Sequence, residues 1–530
     1  MLISLALAGA LTLLPAARAG ADAPLPPDYF GVNLNRVLFD DPEPAHAAPL
    51  GAARAAGITH GRVDLPWSTV QPTSGGSPDY RFTDEAIGSL AAQGIQPTPM
   101  LGYSAPWAAV TRGNDKTPPR DIDDYAHFAL LMAMRYGPGG SFWATHPNVP
   151  YLPVKRWEIW NEPNLPQTFW QTGRNPALYA RMYLAARAAI RGIDPTAKVI
   201  VGGLHSSDIA FLTDMYDAVP RLTGNVDGVA IHPYAPTVRG VLSVVRQFRA
   251  ALDAQGDTHV PMEVTEVGWQ RAGHTDLTVS ESTRAADIAA VADALARSDC
   301  HIDAFEPYTW ESAEQSQSDG EDWYGLWSAS AGLLPSGQAY AGVIARYSTD
   351  AARAAARSTQ LLRICHPPQL HVTLRVRSRM LLVRVKPARS GSDAPRLSVA
   401  TARRAVSAAR VARRVAFRRG FSYFKLGRSV ARVMLKATAH GFAKYSATFR
   451  VVRRHGHYVL RLVEPKHGHG APTAPVDNPS PVQSPPATTA PHSDPTPCPL
   501  PSVPSTVGGA VQTLPTTPPA VTSCEIPASL

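Results

Sequence analysis

Cysteine is scarce in this chain: Cys300, Cys365, Cys498 and Cys524 are the only four in 530 residues, and no CxxC occurs among them. That spacing argues against a zinc ribbon or a thioredoxin-type redox pair. In an exported protein the four would pair as Cys300–Cys365 and Cys498–Cys524 or in either of two other ways, and spacing alone does not choose. Long apolar runs are equally rare. Outside the first nineteen residues, MLISLALAGALTLLPAARA, nothing approaches the ~18 to 20 apolar residues of a membrane-spanning helix. Those nineteen break at Pro15 and end in Ala17-Arg18-Ala19, the small-residue cleavage pattern of a secretory signal, although the positive n-region is missing. We read 1–19 as a signal peptide and the mature protein as secreted or associated with the cell surface or cell wall. A glycine-rich phosphate turn is also absent after the first strand candidate, which weighs against a nucleotide-binding doubly wound sheet.

The most uneven shortage is of acid. Between Leu361 and Lys466 about twenty-five Lys and Arg face only Asp393 and Glu464, whereas the residues before carry more acid than base. Two differently charged bodies are joined in one chain. Period-two alternation of apolar residues with Arg in QLHVTLRVRSRMLLVRVKP (369–387), YSATFRVVRR (445–454) and HYVLRLVEP (457–465) predicts strands with one buried and one cationic face, and so a small all-β, sandwich-like domain over 361–466. ATARRAVSAARVARRVAFRR (400–419) reads as either helix or strand. So much unopposed positive charge expects an anionic partner. For a secreted protein that is an acidic wall polymer, a polysaccharide or a membrane surface, and nucleic acid is not expected. Residues 467–530, rich in Pro, Thr and Ser, predict a disordered tail or stalk. The KHGHG beside it (466–470) reads as solvated linker.

What is present, over 26–350, is an alternation of short apolar runs with amphipathic stretches. Strand candidates are FGVNL (30–34), GRVDL (61–65), PTPMLG (97–102), RWEIW (156–160), KVIVGG (198–203), DGVAIH (227–232), PMEVTE (261–266) and IDAFEPY (302–308). Between several of them apolar residues recur at three and four, as in ALYARMYLAARAAIRGI (177–193). Eight strands with helices between them predict a (β/α)8 barrel, with a doubly wound open sheet as the rival architecture.

In such a barrel the active site lies at the C-terminal strand ends. The fourth candidate strand runs out in Asn161-Glu162-Pro163-Asn164 and the seventh in Glu266. Two carboxylates flanking a scissile bond are the minimum apparatus for glycoside hydrolysis. If Glu266 points into the mouth, alternation sends Glu263 toward the helix layer. Glu158, deeper in its strand, reads as a buried hydrogen-bonding residue paired with an arginine.

RWEIWNEPN and EVTEVGW resemble the acid/base and nucleophile strands of clan A glycoside hydrolases, most closely families 39 and 5. The resemblance covers the barrel zone alone. It implies a retaining glycosidase needing no metal or organic cofactor, with Glu162 as acid/base and Glu266 as nucleophile. It further implies that Arg62 supports the nucleophile, that the Tyr234 hydroxyl orients it, and that His232 lies near the acid/base. Asn161 would bond the sugar 2-hydroxyl, and Trp310, in PYTWES, would be the aromatic floor under a sugar ring. Where family 5 enzymes usually carry a His after strand three, this chain offers Tyr103 and Trp107, which favours family 39. Trp107, Trp160, Trp269 and Trp323 read as sugar platforms or as core. The alternative to an enzyme is a cell-surface protein whose barrel holds glycan without cleaving it, though such a decayed barrel would be expected to lose one glutamate.

Overall fold

The computed structural model describes residues 23–39, 46–367 and most of 370–463. The proposed signal peptide, the KHGHG segment, the Pro/Thr-rich tail and the Cys498–Cys524 pairing lie outside the described residues.

All eight candidate strands form, each within a few residues of its expected bounds. They are β1 (Gly31–Asn33), β2 (His60–Pro66), β3 (Gln96–Gly102), β4 (Arg156–Ile159), β5 (Lys198–His205), β6 (Gly228–His232), β7 (Met262–Val264) and β8 (Ile302–Phe305). They pair in parallel in chain order, and a parallel bridge from Phe30 to Phe305 brings the last strand back to the first. The (β/α)8 reading is correct. The outer helices start where local chemistry satisfies their first amides. Asp121, Asn175 and Ser280 each cap the following helix with a side-chain oxygen, and Pro176 adds a preset φ. Helix tyrosines then tie this layer to the strands: the Tyr179 hydroxyl donates to the Ile159 carbonyl at 2.7 Å and that of Tyr183 to Val199 at 2.8 Å.

The barrel lumen holds charged pairs among aliphatic residues such as Met100 and Ile200, which flank Glu158 in register. Arg62 of β2 meets Glu158 of β4, Arg156 of β4 meets Glu263 of β7 at 3.2 Å, and His60 of β2 meets Glu306, just past β8, at 2.7 Å. Partners on non-neighbouring strands can meet only across the interior. Glu263 is therefore lumen-facing, and its expected orientation toward the helices is corrected. Regular alternation stops at Val264, where β7 ends, so parity counted backward from Glu266 gives the wrong face.

A short hairpin, β9 (Trp327–Ser328) and β10 (Gly332–Leu333), follows the barrel strands. Cys300, just before β8, is disulfide-bonded to Cys365 with a Cα–Cα distance of 5.1 Å, which selects the first of the pairings considered. The basic segment folds as two antiparallel sheets. One is ordered β11 (His371–Arg377), β12 (Met380–Lys386), β16 (Phe421–Lys425), β15 (Arg414–Arg418). The other is β14 (Arg410–Val411), β13 (Arg396–Ala402), β17 (Arg432–Thr438), β18 (Tyr445–Arg454), β19 (His457–Leu462). Leu381, Val383 and Phe424 of the first pack with Val399, Leu435 and Phe449 of the second in one core, a sandwich. The ambiguous 400–419 stretch supplies β14 and β15, so in its described part it is strand.

Candidate active site

The end of β4 is shaped by its neighbour β5. Trp160 and Glu162 adopt positive φ, 68° and 44°, a conformation costing a non-glycine residue ~1–3 kcal/mol unless its surroundings enforce it. Gly202 and Gly203 provide the room. A Cβ on Gly202 would come within 2.0 Å of the Trp160 carbonyl oxygen, and one on Gly203 within 2.0 Å of His232 Nε2. The Gly203 carbonyl accepts from Glu162 N at 3.1 Å, and its amide donates to Glu158 Oε1 at 2.8 Å. Asn164 locks the turn by exchanging hydrogen bonds with the His205 backbone. The aromatic half of WEIWNEPN is core: Trp157 and Trp160 are buried, the latter donating its indole N–H to the Phe169 carbonyl.

Arg62 organises the floor. Its guanidinium is buried and donates to Glu158 at 2.8 and 3.1 Å, to Asn161 Oδ1 at 2.8 Å and to Glu266 Oε1 at 2.9 Å. A planar fork with five donors suits this multiple contact where lysine would not. The other Glu266 oxygen accepts from the Tyr234 hydroxyl at 3.0 Å. His232 is wholly buried, with Nδ1 2.7 Å from Glu162 Oε1 and Nε2 3.1 Å from Thr265 Oγ1. Glu162, Glu266, Asn161, Arg62, His232 and Tyr234 are thus one connected cluster, assembled from β2, β4, β6 and β7. Because Asn161 Oδ1 is taken by Arg62, what that side chain offers a ligand is its amide donor.

The two carboxyl groups approach closely, with ligand oxygens of Glu162 and Glu266 and a His232 ring nitrogen all within 4.8 Å of one another. Burial raises both glutamates, to about 7, against the opposing pull of His205 and Arg62 on Glu162 and of His232 and Arg62 on Glu266. Two carboxyls this close in a low-dielectric site share one proton before either pair member can lose its last. Glu266 holds the arginine and tyrosine donors that stabilise an anion, so the shared proton belongs on Glu162. Burial pushes His232 down, keeping it neutral. Protonated on Nε2 it accepts the Glu162 proton, and protonated on Nδ1 it donates to the Glu162 carboxylate, so one imidazole serves both states. The same three side chains are close enough to hold a cation. Against that, Arg62 sits 2.9 Å from Glu266 and repels positive charge.

Two sequence-derived positions differ from expectation. Trp310 is 0% exposed, and its indole N–H donates to the Pro49 carbonyl at 2.8 Å. It is a packing residue and presents no face to a sugar, which corrects its reading as the aromatic floor. Half-buried Tyr308, two residues earlier, borders a cavity of about 260 Å³ with Asn33, Asn35, Glu311 and Glu321. Tyr103 sits near the cluster but is largely buried, stacked on Phe169 and covered by Lys116, whose Nζ lies 3.1 Å from the ring centre. Among the four other tryptophans, Trp160 and Trp269 are buried core and Trp107 is half-buried with its N–H on the Gln71 carbonyl. A residue that sequence reasoning missed is His205, which lies close enough to Glu162 for a proton on its ring to favour the Glu162 carboxylate, although burial holds the ring's own pKa below its usual value. It ends β5 in GGLHSS, so the strand-end rule applied to β4 and β7 would have found it.

No family model matches the chain, and no curated protein matches it. Some solved structures resemble it. A glucosidase from Croceicoccus marinus is 16% identical, with 69% of this chain and 77% of that chain covered and a TM-score of 0.49. A family 39 glycoside hydrolase from the gut symbiont Bacteroides cellulosilyticus WH2 is 17% identical, with 78% and 81% covered and a TM-score of 0.46. A monomeric β-xylosidase from Caulobacter crescentus CB15 is 16% identical, with 72% and 84% covered and a TM-score of 0.46. At such values the likenesses say nothing of what this chain does, and the case for activity rests on its own side chains.

Proposed function

We propose that the barrel hydrolyses O-glycosidic bonds of a polysaccharide or oligosaccharide with retention of configuration. The observation that carries this reading is the Glu162–Glu266 pair. Its facing oxygens lie within 4.8 Å, which suits the ~5–5.5 Å carboxyl separation of retaining enzymes better than the ~6.5–9.5 Å of inverting ones. Glu266, anionic on Arg62 and Tyr234, forms a bond to the anomeric carbon as the bond to the leaving oxygen breaks and Glu162 gives that oxygen its proton. Glu162, now a carboxylate, then takes a proton from water. The hydroxide formed attacks the same carbon and releases Glu266. Asn161 donates to the sugar's 2-hydroxyl, a bond that strengthens as the oxocarbenium character grows. Nothing in this scheme calls for a metal or an organic cofactor. The leader-like first nineteen residues support export as part of the same reading.

The test is the stereochemistry of the first product, read by proton NMR on an aryl glycoside, together with mass spectrometry of protein treated with a 2-fluoro glycoside. Retention and a single adduct on the peptide carrying Glu266 are expected. Inversion, or an adduct on another residue, would overturn the assignment. No turnover on any member of a polysaccharide panel would point instead to a glycan-binding barrel.

A further inference from the structure

His205 ends β5 beside the catalytic cluster, in register with His232 of β6. Its backbone is held on both sides by Asn164, whose Oδ1 accepts from the His205 amide at 3.0 Å and whose Nδ2 donates to the His205 carbonyl at 2.8 Å. The Ser206 hydroxyl ties the following turn to the end of β6 by donating to the Tyr234 carbonyl at 3.0 Å. The ring is held as well. Its Nδ1 accepts from the Ser207 amide at 3.2 Å and lies 2.9 Å from the Ser207 hydroxyl oxygen. A backbone amide can only donate, so Nδ1 bears no proton and the neutral ring carries its proton on Nε2. Burial lowers the pKa of the ring, against the pull of Glu162, and so favours this neutral form. The ring is half-buried, yet its Nε2–H meets no acceptor among the described residues. The position of the ring is thus fixed from three directions while its one outward donor is left to solvent or to a ligand.

We propose that His205 Nε2–H donates to a hydroxyl or ring oxygen of the sugar that departs on cleavage, and so selects a carbohydrate leaving group. The inference rests on the retaining-glycosidase reading above. In that reading the departing oxygen takes its proton from Glu162, so the departing sugar lies on the Glu162 side of the site. The strand carrying His205, β5, is the neighbour of β4, which leads to Glu162, and is separated by β6 from β7, which leads to Glu266. Glu162 and the His205 ring are near enough for the charge of each to act on the other. The donor therefore meets the departing sugar rather than the one bonded to Glu266. Because the ring is already oriented by Ser207 and Asn164, a hydrogen bond to the sugar requires little further ordering of the protein. A sugar oxygen supplies the acceptor that the protein leaves out, and an unsubstituted phenyl group does not.

The experiment uses the full chain with xylotetraose, cellotetraose and mannotetraose, each set against the phenyl glycoside of the same sugar. The ratio kcat/KM is measured for the parent, His205→Ala and His205→Gln, and affinity for each tetraose is measured by titration in the Glu266→Gln background, where binding is read without turnover. For the tetraose bound by the parent, His205→Ala is expected to weaken affinity about tenfold and to lower kcat/KM about tenfold more than on the matching phenyl glycoside. His205→Gln, whose side-chain amide places an N–H near the Nε2 position, is expected to recover most of both losses. A preserved melting temperature in His205→Ala shows that the barrel still folds. Equal losses on tetraose and phenyl glycoside would mean that the ring acts only through Glu162 and would overturn the proposal. Unchanged tetraose affinity in His205→Ala, or binding of none of the three tetraoses, would overturn it too. Tetraose binding that His205→Ala weakens, in a chain that turns over none of the substrates, would instead defeat the hydrolase reading and still support the sugar contact.

Discussion

In the barrel, Arg62 is 1% exposed and bonded to Glu158, Asn161 and Glu266; in the sandwich, Arg450 and Arg461 stand exposed beside each other on neighbouring strands. The same side chain has been put to two uses. Inside, where the dielectric is low, an arginine is stable only if every donor finds an acceptor, and the geometry that results is rigid enough to set the state of a neighbouring carboxylate. Outside, water and salt screen each charge, so a pair of like charges is tolerated and remains available to a ligand. Buried charge in this molecule therefore fixes geometry, while exposed charge is free to answer to what binds.

The sharpest way to test that contrast is through catalysis. Glu266→Gln is expected to lower kcat on an aryl glycoside by at least ~10⁴-fold, whereas Arg450→Gln changes it by less than about twofold. Stability comes next. Arg62→Met leaves Glu158 buried without its partner and should cost ~3–5 kcal/mol in urea unfolding, against no more than ~0.5 kcal/mol for Arg450→Gln. Equal losses from the two arginines would dissolve the comparison.

A subtler difference concerns pH. Burial raises Glu162 from 4.5 to about 7, so its folded-state pKa lies above its unfolded one. Its favourable contribution is present in full below the unfolded value and is lost as pH rises through the folded value, because the native state must then hold an unwelcome charge. Glu162→Gln keeps the neutral form at all pH values, and its stability relative to the parent should improve by ~1–3 kcal/mol between pH 4 and pH 8. Urea titrations at the two pH values check this, and an equal difference at both would refute it. In the parent enzyme the same ionisation should bring kcat/KM down on the alkaline side with a midpoint near 7, since Glu162 must start protonated. The smallest expected effect is that of salt on the barrel: from about 50 to about 500 mM NaCl, turnover of a neutral aryl glycoside should change less than about twofold. A steep salt dependence would mean that the barrel's charges are not the sheltered set described.

How much of this was legible beforehand divides along physical lines. The eight strands were readable because apolar runs and their breaks are local properties of the chain, and Glu162 and Glu266 stood out because a carboxylate ending an apolar strand has no packing purpose. The orientation of Glu263 was misread because alternation holds only within a regular strand, and β7 ends before Glu266. Trp310 was misread because the exposure of an aromatic ring depends on what packs over it, here the segment carrying Pro49, more than two hundred and fifty residues away in sequence. Segment 400–419 stayed ambiguous until strand partners existed to choose for it.

The sequence by itself determined the kind of barrel, the unequal charge of its two halves and the two glutamates at strand ends, because periodicity, composition and residue type need no partner to be read. Only the tertiary structure decided that Arg62 joins Glu158, Asn161 and Glu266, that His232 reaches Glu162, and that Arg450 and Arg461 stand opposite each other on β18 and β19. Each of those depends on a distance between strands, set by closure of the barrel or by sheet register, and no local pattern encodes it.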